Sequence, residues 1–267
     1  MFFFLNFLSE PVTVTNMSKR SKKAGTGSKD KDGVPPQLNV DVPLTKEYVK
    51  VPTKRADEAH LPVDVLLLTV KDCAFLACYK QLNNPYRCWF DALGYVYFED
   101  VDESQEEKVK MALIQCYEGS TGPGASLISV KNASNVLHPK AVISVGTCSG
   151  LKPQETRLGD VVVSAKLTTY ASKVVTSKGE QSTGMRSYVS IRFLNVIKHA
   201  ADGWGAPLMN RKARKVKVHC DGEFLSGPEE VNAEWQRTQL AKSHLQAIAI
   251  EMEGEGKVVF ICTIFRS

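Results

Sequence analysis

One stretch decides the fold: Lys110–Tyr117 (KMALIQCY), Gly119–Gly124 (GSTGPG), Ala125–Leu137 (ASLISVKNASNVL), Pro139, Ala141–Val145 (AVISV) and Gly146–Gly150 (GTCSG). The first and fifth segments are short apolar runs of strand length. The third carries Leu127, Ile128 and Val136 at helical spacing, and Pro139 breaks it. Strand, glycine turn, helix, strand and glycine turn make a βαβ unit, the building block of parallel sheets. Ligands of such sheets bind beyond the carboxyl ends of the strands, where both glycine loops fall. Glycine there lets the backbone approach a ligand and frees N–H groups to donate to anions. Structural turns have the same composition, so the pattern alone leaves a phosphate or sugar site and a plain turn both open. The first loop reads G-x-x-G-x-G, not the dinucleotide fingerprint G-x-G-x-x-G. The second reads G-x-x-S-G, not the nucleophile elbow G-x-S-x-G.

On the N-terminal side, Val63–Val70 (VDVLLLTV) reads as a strand buried on both faces. Lys71–Leu82 reads as a helix, with Phe75, Leu76, Tyr79 and Leu82 on one side. Tyr95–Phe98 reads as a strand, and Glu103–Lys108 as a loop or helix start. On the C-terminal side, Leu158-Gly159-Asp160 is a turn feeding a strand through Ser164. Tyr188–Ala201 is an amphipathic helix, and Asn210–Val218 (NRKARKVKV) a basic edge strand or insertion. Phe224–Gly227 reads as the start of a loop, and Glu229–His244 as a charged helix carrying Trp235 and Leu240. Ala247–Ile250 (AIAI) is an apolar strand running directly into Glu251-Met252-Glu253-Gly254. A carboxylate at the end of a buried strand is costly unless hydrogen-bonded. A sugar diol and a salt-bridged helix start are both partners that fit.

Composition sets the outer bounds. The chain has 267 residues, 43% hydrophobic and 24% charged, enough for one large α/β domain or two small ones. It contains no run of about 18 apolar residues, so no membrane span is expected. The formal charge is +5, but residues 17–33 hold six basic against two acidic residues, so most of the surplus lies there. That segment is rich in Ser and Gly and has neither aromatics nor apolar periodicity. Residues 1–43 therefore read as a disordered basic tail, and 44–267 as the folded domain. Nucleic acid is not the expected partner, because the basic residues lack interleaved aromatics on a folded face. Met1–Leu8 (MFFFLNFL) is too short for a secretory signal, and Met17 is an alternative start. The seven cysteines are scattered without C-x-x-C, so buried free thiols in a cytoplasmic or nuclear compartment are expected, and no metal site.

GSTGPGAS, KAVISVGTCSGL, RLGDVVVSAKL, FLSGPEEV and QAIAIEMEGEG follow one another from Gly119 to Gly256. In order and spacing, these motifs resemble the purine/uridine phosphorylase and methylthioadenosine/S-adenosylhomocysteine nucleosidase superfamily, over roughly Val63 to Lys257. The resemblance implies an α/β fold: a single three-layer domain with a central mixed, partly barrel-like sheet flanked by helices. It implies binding or cleavage at the N-glycosidic bond of a nucleoside, purine by expectation. It implies a homo-oligomer and no organic cofactor or metal, with inorganic phosphate as co-substrate if the reaction is phosphorolytic. By the same resemblance, Glu253 accepts hydrogen bonds from the ribose 2′- and 3′-hydroxyls and Met252 packs on the sugar. Gly146 and Thr147 form the loop near C1′ and the nucleophile. Val231 lines the base pocket.

Some positions depart from the family pattern. The base-stacking aromatic aligns with Glu230. The carboxylate that positions water in nucleosidases aligns with Ala74, leaving Asp72 the nearest acid. The phosphate-holding Arg of phosphorylases aligns with Ser144, which cannot offer a charged fork. The family's general-acid Asp follows a further strand, whereas this sequence ends at Ser267 after ICTIFRS. The expectation is thus a domain lacking its last strand and helix, with no catalytic acid assigned. The alternative is a non-catalytic nucleoside-sensing or interaction module.

Overall fold

A computed structural model of the chain describes residues 2–5, 39, 47, 50–100, 109–117, 126–164, 166–171, 173–177, 179–182, 184–210, 215–228, 231 and 233–251. In chain order the elements begin with β1 (Phe2–Leu5), β2 (Thr53–Lys54), β3 (Val65–Thr69), α1 (Asp72–Tyr79), β4 (Tyr86–Phe90) and β5 (Gly94–Phe98). They continue with β6 (Met111–Gln115), α2 (Ser126–Leu137), β7 (Ala141–Thr147), β8 (Ser149–Gly150), β9 (Val161–Ser164) and β10 (Lys166–Thr169). The remainder are β11 (Lys173–Thr176), β12 (Gly179–Ser182), β13 (Arg186–Tyr188), α3 (Ile191–Lys198), β14 (Val218–His219), β15 (Glu223–Ser226), α4 (Glu234–Ser243) and β16 (Ala247–Glu251).

The βαβ unit is where the sequence puts it: β6, α2 and β7, with β3 parallel to both strands and lying between them. Because side chains alternate across a strand, these apolar runs feed two cores. Leu66 and Leu68 of β3, with Ala112 and Ile114 of β6, pack under Val130, Ala133 and Leu137 of α2. The intervening Leu67 and Leu113 point the other way, onto Phe75, Leu76 and Cys78 of α1. Helix, sheet and helix form three layers. A continuous apolar strand is what such double burial requires.

Nine strands run in the order β14-β9-β1-β7-β3-β6-β5-β4-β2, and five more in the order β13-β10-β15-β16-β8. Only Cys148 separates β7 from β8, and only position 165 separates β9 from β10. Two chains of strand therefore pass from one sheet into the other, so the mixed sheet folds over itself. The β11–β12 hairpin stands apart as a two-stranded ribbon.

Two expectations are corrected. Phe224–Gly227 is not the start of a loop: β15 is a wholly buried strand, parallel to β10 and β16. Its first residue is accommodated because Thr168 Oγ1 donates to the buried Glu223 carboxylate. Within the tail, Phe2–Leu5 is a strand rather than disordered, parallel to β7 and antiparallel to β9. Four consecutive apolar residues fit a central slot with partners on both sides. The basic stretch 17–33 lies outside the described residues, and so does Glu103–Lys108.

β1 joins β9 and β14 to the rest of the sheet, and it pairs Phe4 with Gly146 and Val162. Proline at a central strand position removes a ladder N–H and leaves a buried acceptor unmet. Phe4→Pro is expected to cost about 1–3 kcal/mol of stability. It should also speed amide exchange in Ser144–Thr147 and Val161–Ser164 more than in β4 and β5. Uniform exchange across the sheet would refute this role for β1.

Candidate functional site

The carboxyl ends of three strands meet near the second glycine loop. β7 ends with Gly146 and Thr147, both half-buried. The chain then turns through buried Cys148 into β8, which pairs antiparallel with β16: Ser149 opposite Ile250 and Gly150 opposite Ala249. β16 in turn lies parallel to β15, with Ser226 opposite Glu251, and the Gly227 N–H donates to the Glu251 carbonyl at 3.3 Å. Gly227 packs so closely on the Tyr170 ring that any side chain there would overlap it. Ser226 and Glu251 are buried. The Ser226 hydroxyl is a buried donor with no hydrogen-bond partner among the described residues, the kind of group a ligand satisfies. Burial, aided by the Glu251 carboxylate, pushes the Cys148 thiol far above its ordinary range, so Cys148 stays protonated and is no nucleophile.

Val231 is buried among Leu151, Tyr170, Leu225 and Ile250, on the wall shared by β15 and β16. The structure thus gathers Gly146, Thr147 and Val231 at one end of the folded-over sheet, with Glu251 directly preceding Met252 and Glu253 in the chain. Met252, Glu253 and Glu230 lie outside the described residues, as does the first glycine loop.

A second group stands on the other side of β7. Past the end of β3, the Asp72 carboxylate is exposed at the start of α1 and accepts from Gln115 Nε2 at 2.7 Å. The same nitrogen donates to the Val70 carbonyl at 3.0 Å, so both amide protons are committed and Gln115 is locked. Asp72 therefore sits where β3 ends, and β3 is the strand between β6 and β7. Ala74 is buried in α1 and Ser144 is buried inside β7. Gln115 was not singled out from the sequence. The available signal is one polar residue ending the apolar run MALI.

Residues 108–260 match the sequence profile of the Phosphorylase superfamily. The chain belongs to that superfamily. Within it, the chain is 30% identical over 142 residues to the death domain-containing ATP nucleosidase of the sponge Amphimedon queenslandica, a match covering 45% of this chain and 25% of the relative. The chain thus spans about a quarter of the length of the curated relative it matches. Its fold is that of a 5′-methylthioadenosine/S-adenosylhomocysteine nucleosidase from Neisseria meningitidis, solved with methylthio-immucillin-A. The TM-score is 0.58 at 16% identity, covering 75% of this chain and 80% of that one. Futalosine hydrolase from Helicobacter pylori gives 0.57 at 15% identity, with 78% and 81% covered. The Streptococcus pneumoniae nucleosidase bound to 8-aminoadenine gives 0.54 at 17%, with 73% and 78% covered. The architecture is therefore that of the nucleoside phosphorylases and nucleosidases. Among the described residues, no three His, Cys, Asp or Glu side chains are grouped to hold a metal, and no helix is long and apolar enough to cross a membrane.

Proposed function

We propose that this phosphorylase-superfamily domain binds a purine nucleoside and cleaves its N-glycosidic bond with water. The observation that carries the choice of water is the Gln115-held Asp72 carboxylate at the end of β3, together with a buried Ser144 where a phosphate-binding cation would stand. A fixed carboxylate repels phosphate and orients water. In the proposed reaction, Thr147 and Gly146 flank C1′, while Glu253 accepts from the ribose 2′- and 3′-hydroxyls and Met252 packs on the sugar. The water oxygen bonds to C1′, and the glycosidic electron pair leaves on the base nitrogen. Asp72 takes the water's proton, which returns to the departing base through solvent. Val231 lines the base pocket, and the Ser226 hydroxyl, which has no partner among the described residues, supplies a donor there. Purine preference is supported by the ligands named for the structural neighbours and by the sponge relative's name.

Release of free base from adenosine, methylthioadenosine, inosine and uridine, with and without phosphate, tests this reading. Base release from the purine nucleosides in phosphate-free buffer is expected. Strict dependence on phosphate would replace hydrolysis by phosphorolysis, and binding without release would leave a nucleoside sensor. Glu253→Gln is expected to weaken nucleoside binding by about 10–100-fold, as loss of a charge-assisted pair of hydrogen bonds demands. Unchanged affinity in a calorimetric titration would remove Glu253 from the ribose site.

A further inference from the structure

A separate cavity of about 730 Å³ opens at the carboxyl ends of β3 and β6, between the β4–β5 hairpin and the first turns of α2. Its volume is that of an ordinary small-molecule site. One wall is aromatic. Trp89 and Tyr95 face each other across the hairpin, ring centroids 5.0 Å apart and interplanar angle 78°, and remain 54% and 41% exposed. Phe75 and Tyr97 extend the wall inward, and Tyr117 stands at its rim. Large exposed aromatics that converge on one cavity are unusual unless something stacks on them.

The wall is also rigid. Trp89 Nε1–H donates to Asp91 Oδ1 at 3.3 Å, fixing the indole. Asn132 Nδ2 of α2 donates to the Ala92 carbonyl at 3.0 Å, tying the hairpin turn to the helix. The Arg87 guanidinium lies 4.2 Å from the Tyr95 ring centre. Gly94, at φ +73°, makes the left-handed turn that folds the hairpin under the indole.

The polar lining selects the ligand's chemistry. Asp91 accepts, Ser129 and Asn132 both donate and accept, and Gln115 keeps its Oε1 acceptor, while no basic side chain is among the described lining residues. A carboxylate in the lining, with the neighbouring Arg87 guanidinium engaged on the Tyr95 ring, favours an N–H-bearing edge over phosphate. Flat aromatic walls with mixed donors and acceptors suit a planar amino-heterocycle.

The geometry points to this cavity as a binding site for an uncharged amino-substituted heteroaromatic base, stacked on Trp89 with its amino edge toward Asp91. It borders the proposed water-activating pair through Gln115 but contains none of Gly146, Thr147 and Val231, and it stands whether or not the chain hydrolyses nucleosides.

The test uses the full chain and adenine, with unsubstituted purine as the probe lacking the amino group. The Trp89 indole N–H resonance, assigned by its absence in Trp89→Phe, is followed during titration. Adenine is expected to shift it, and purine to bind about tenfold more weakly. Trp89→Ala should weaken adenine at this site by about tenfold or more, as loss of one stacked base on an aromatic does, while Trp89→Phe keeps most of the affinity. Trp89 is half exposed on an edge hairpin, and an unchanged circular dichroism melt for both variants checks the fold. Asp91→Asn should narrow the gap between adenine and purine. An unmoved Trp89 resonance, or equal adenine affinity in wild type and Trp89→Ala, overturns the site. Glu253→Gln separates the two readings: it should leave the Trp89 response to adenine intact even where nucleoside binding is lost.

Discussion

Asp160→Ala is expected to lower the unfolding free energy by about 3–5 kcal/mol, because it strips the shared partner from three hydrogen bonds to a buried carboxylate, each worth about 1–3 kcal/mol when one side is left unmet. Asp160 and His219 are almost wholly buried, with His219 Nε2 3.2 Å from Asp160 Oδ2. The same carboxylate accepts from the backbone N–H groups of Arg157 and Lys217, each at 2.9 Å. It thus fixes the turn entering β9 and holds β14 at the edge of the nine-stranded sheet. Alanine would orphan two backbone donors and an imidazole at once, against a total stability of only about 5–15 kcal/mol for a typical domain. Asp160→Asn keeps the shape but offers one acceptor oxygen where two are used, so an intermediate loss is expected. Urea denaturation near neutral pH measures both; a loss below about 1 kcal/mol for alanine would show the pair to be dispensable.

The same group sets a pH dependence. Burial alone would raise the Asp160 pKa, but His219 and the two backbone donors outweigh burial and hold it below its ordinary value. A carboxyl depressed in the native state contributes stability that is fully present above the unfolded value of about 3.9. That contribution fades as pH falls through the lower native value. Wild type should therefore lose stability on acidification below about pH 4 more steeply than Asp160→Asn, whose amide does not titrate.

Asp160 also shows what could be seen in the sequence. RLGD announced a turn feeding a strand, because glycine and an acid before Val-Val-Val-Ser leave few alternatives. It gave no hint of His219, which lies 59 residues further on. The same division runs through the fold. β3, β6, β7, β9 and β16 were legible because strands covered on both faces must be continuously apolar. β15 was not, because Glu-Phe-Leu-Ser begins and ends on polar residues, and the acid is met by Thr168, a residue no local pattern connects to Glu223. β4 was missed because Tyr-Arg-Cys-Trp-Phe alternates only in its burial on the folded hairpin. β1 was missed because four apolar residues acquire meaning only from the slot between β7 and β9. Gly146 and Thr147 close β7, a strand readable from its apolar run, whereas Val231 follows β15, and its packing against Leu151, Tyr170, Leu225 and Ile250 arises only in the fold. The Gln115–Asp72 bond, across 43 residues, and the Trp89 cavity arise from the way β3, β6 and the hairpin come together, which no single segment encodes.

Asp72→Asn is the chemical counterpart, with an expected fall of about 10²–10⁴-fold in base release, the range lost with a general base. The substitution suits the geometry, because asparagine retains an oxygen to accept from Gln115 Nε2 and changes little in volume. Helix α1 and its buried face of Phe75, Leu76 and Cys78 are untouched, so the fold should survive. In the proposed reaction Asp72 acts on water rather than on the nucleoside, so the loss should fall on kcat with KM nearly unchanged. Gln115→Leu separates positioning from chemistry. It leaves the carboxylate but removes its tether, and a loss of about tenfold, smaller than that of Asp72→Asn, is expected. If Asp72→Asn released base at the wild-type rate, the water would have to be activated elsewhere. If both variants lost nucleoside binding in proportion to rate, Asp72 would be a ligand-holding residue rather than a base. A wild-type rate that rises as a carboxyl deprotonates, and an Asp72→Asn rate that has lost that limb, would tie the chemistry to this one side chain.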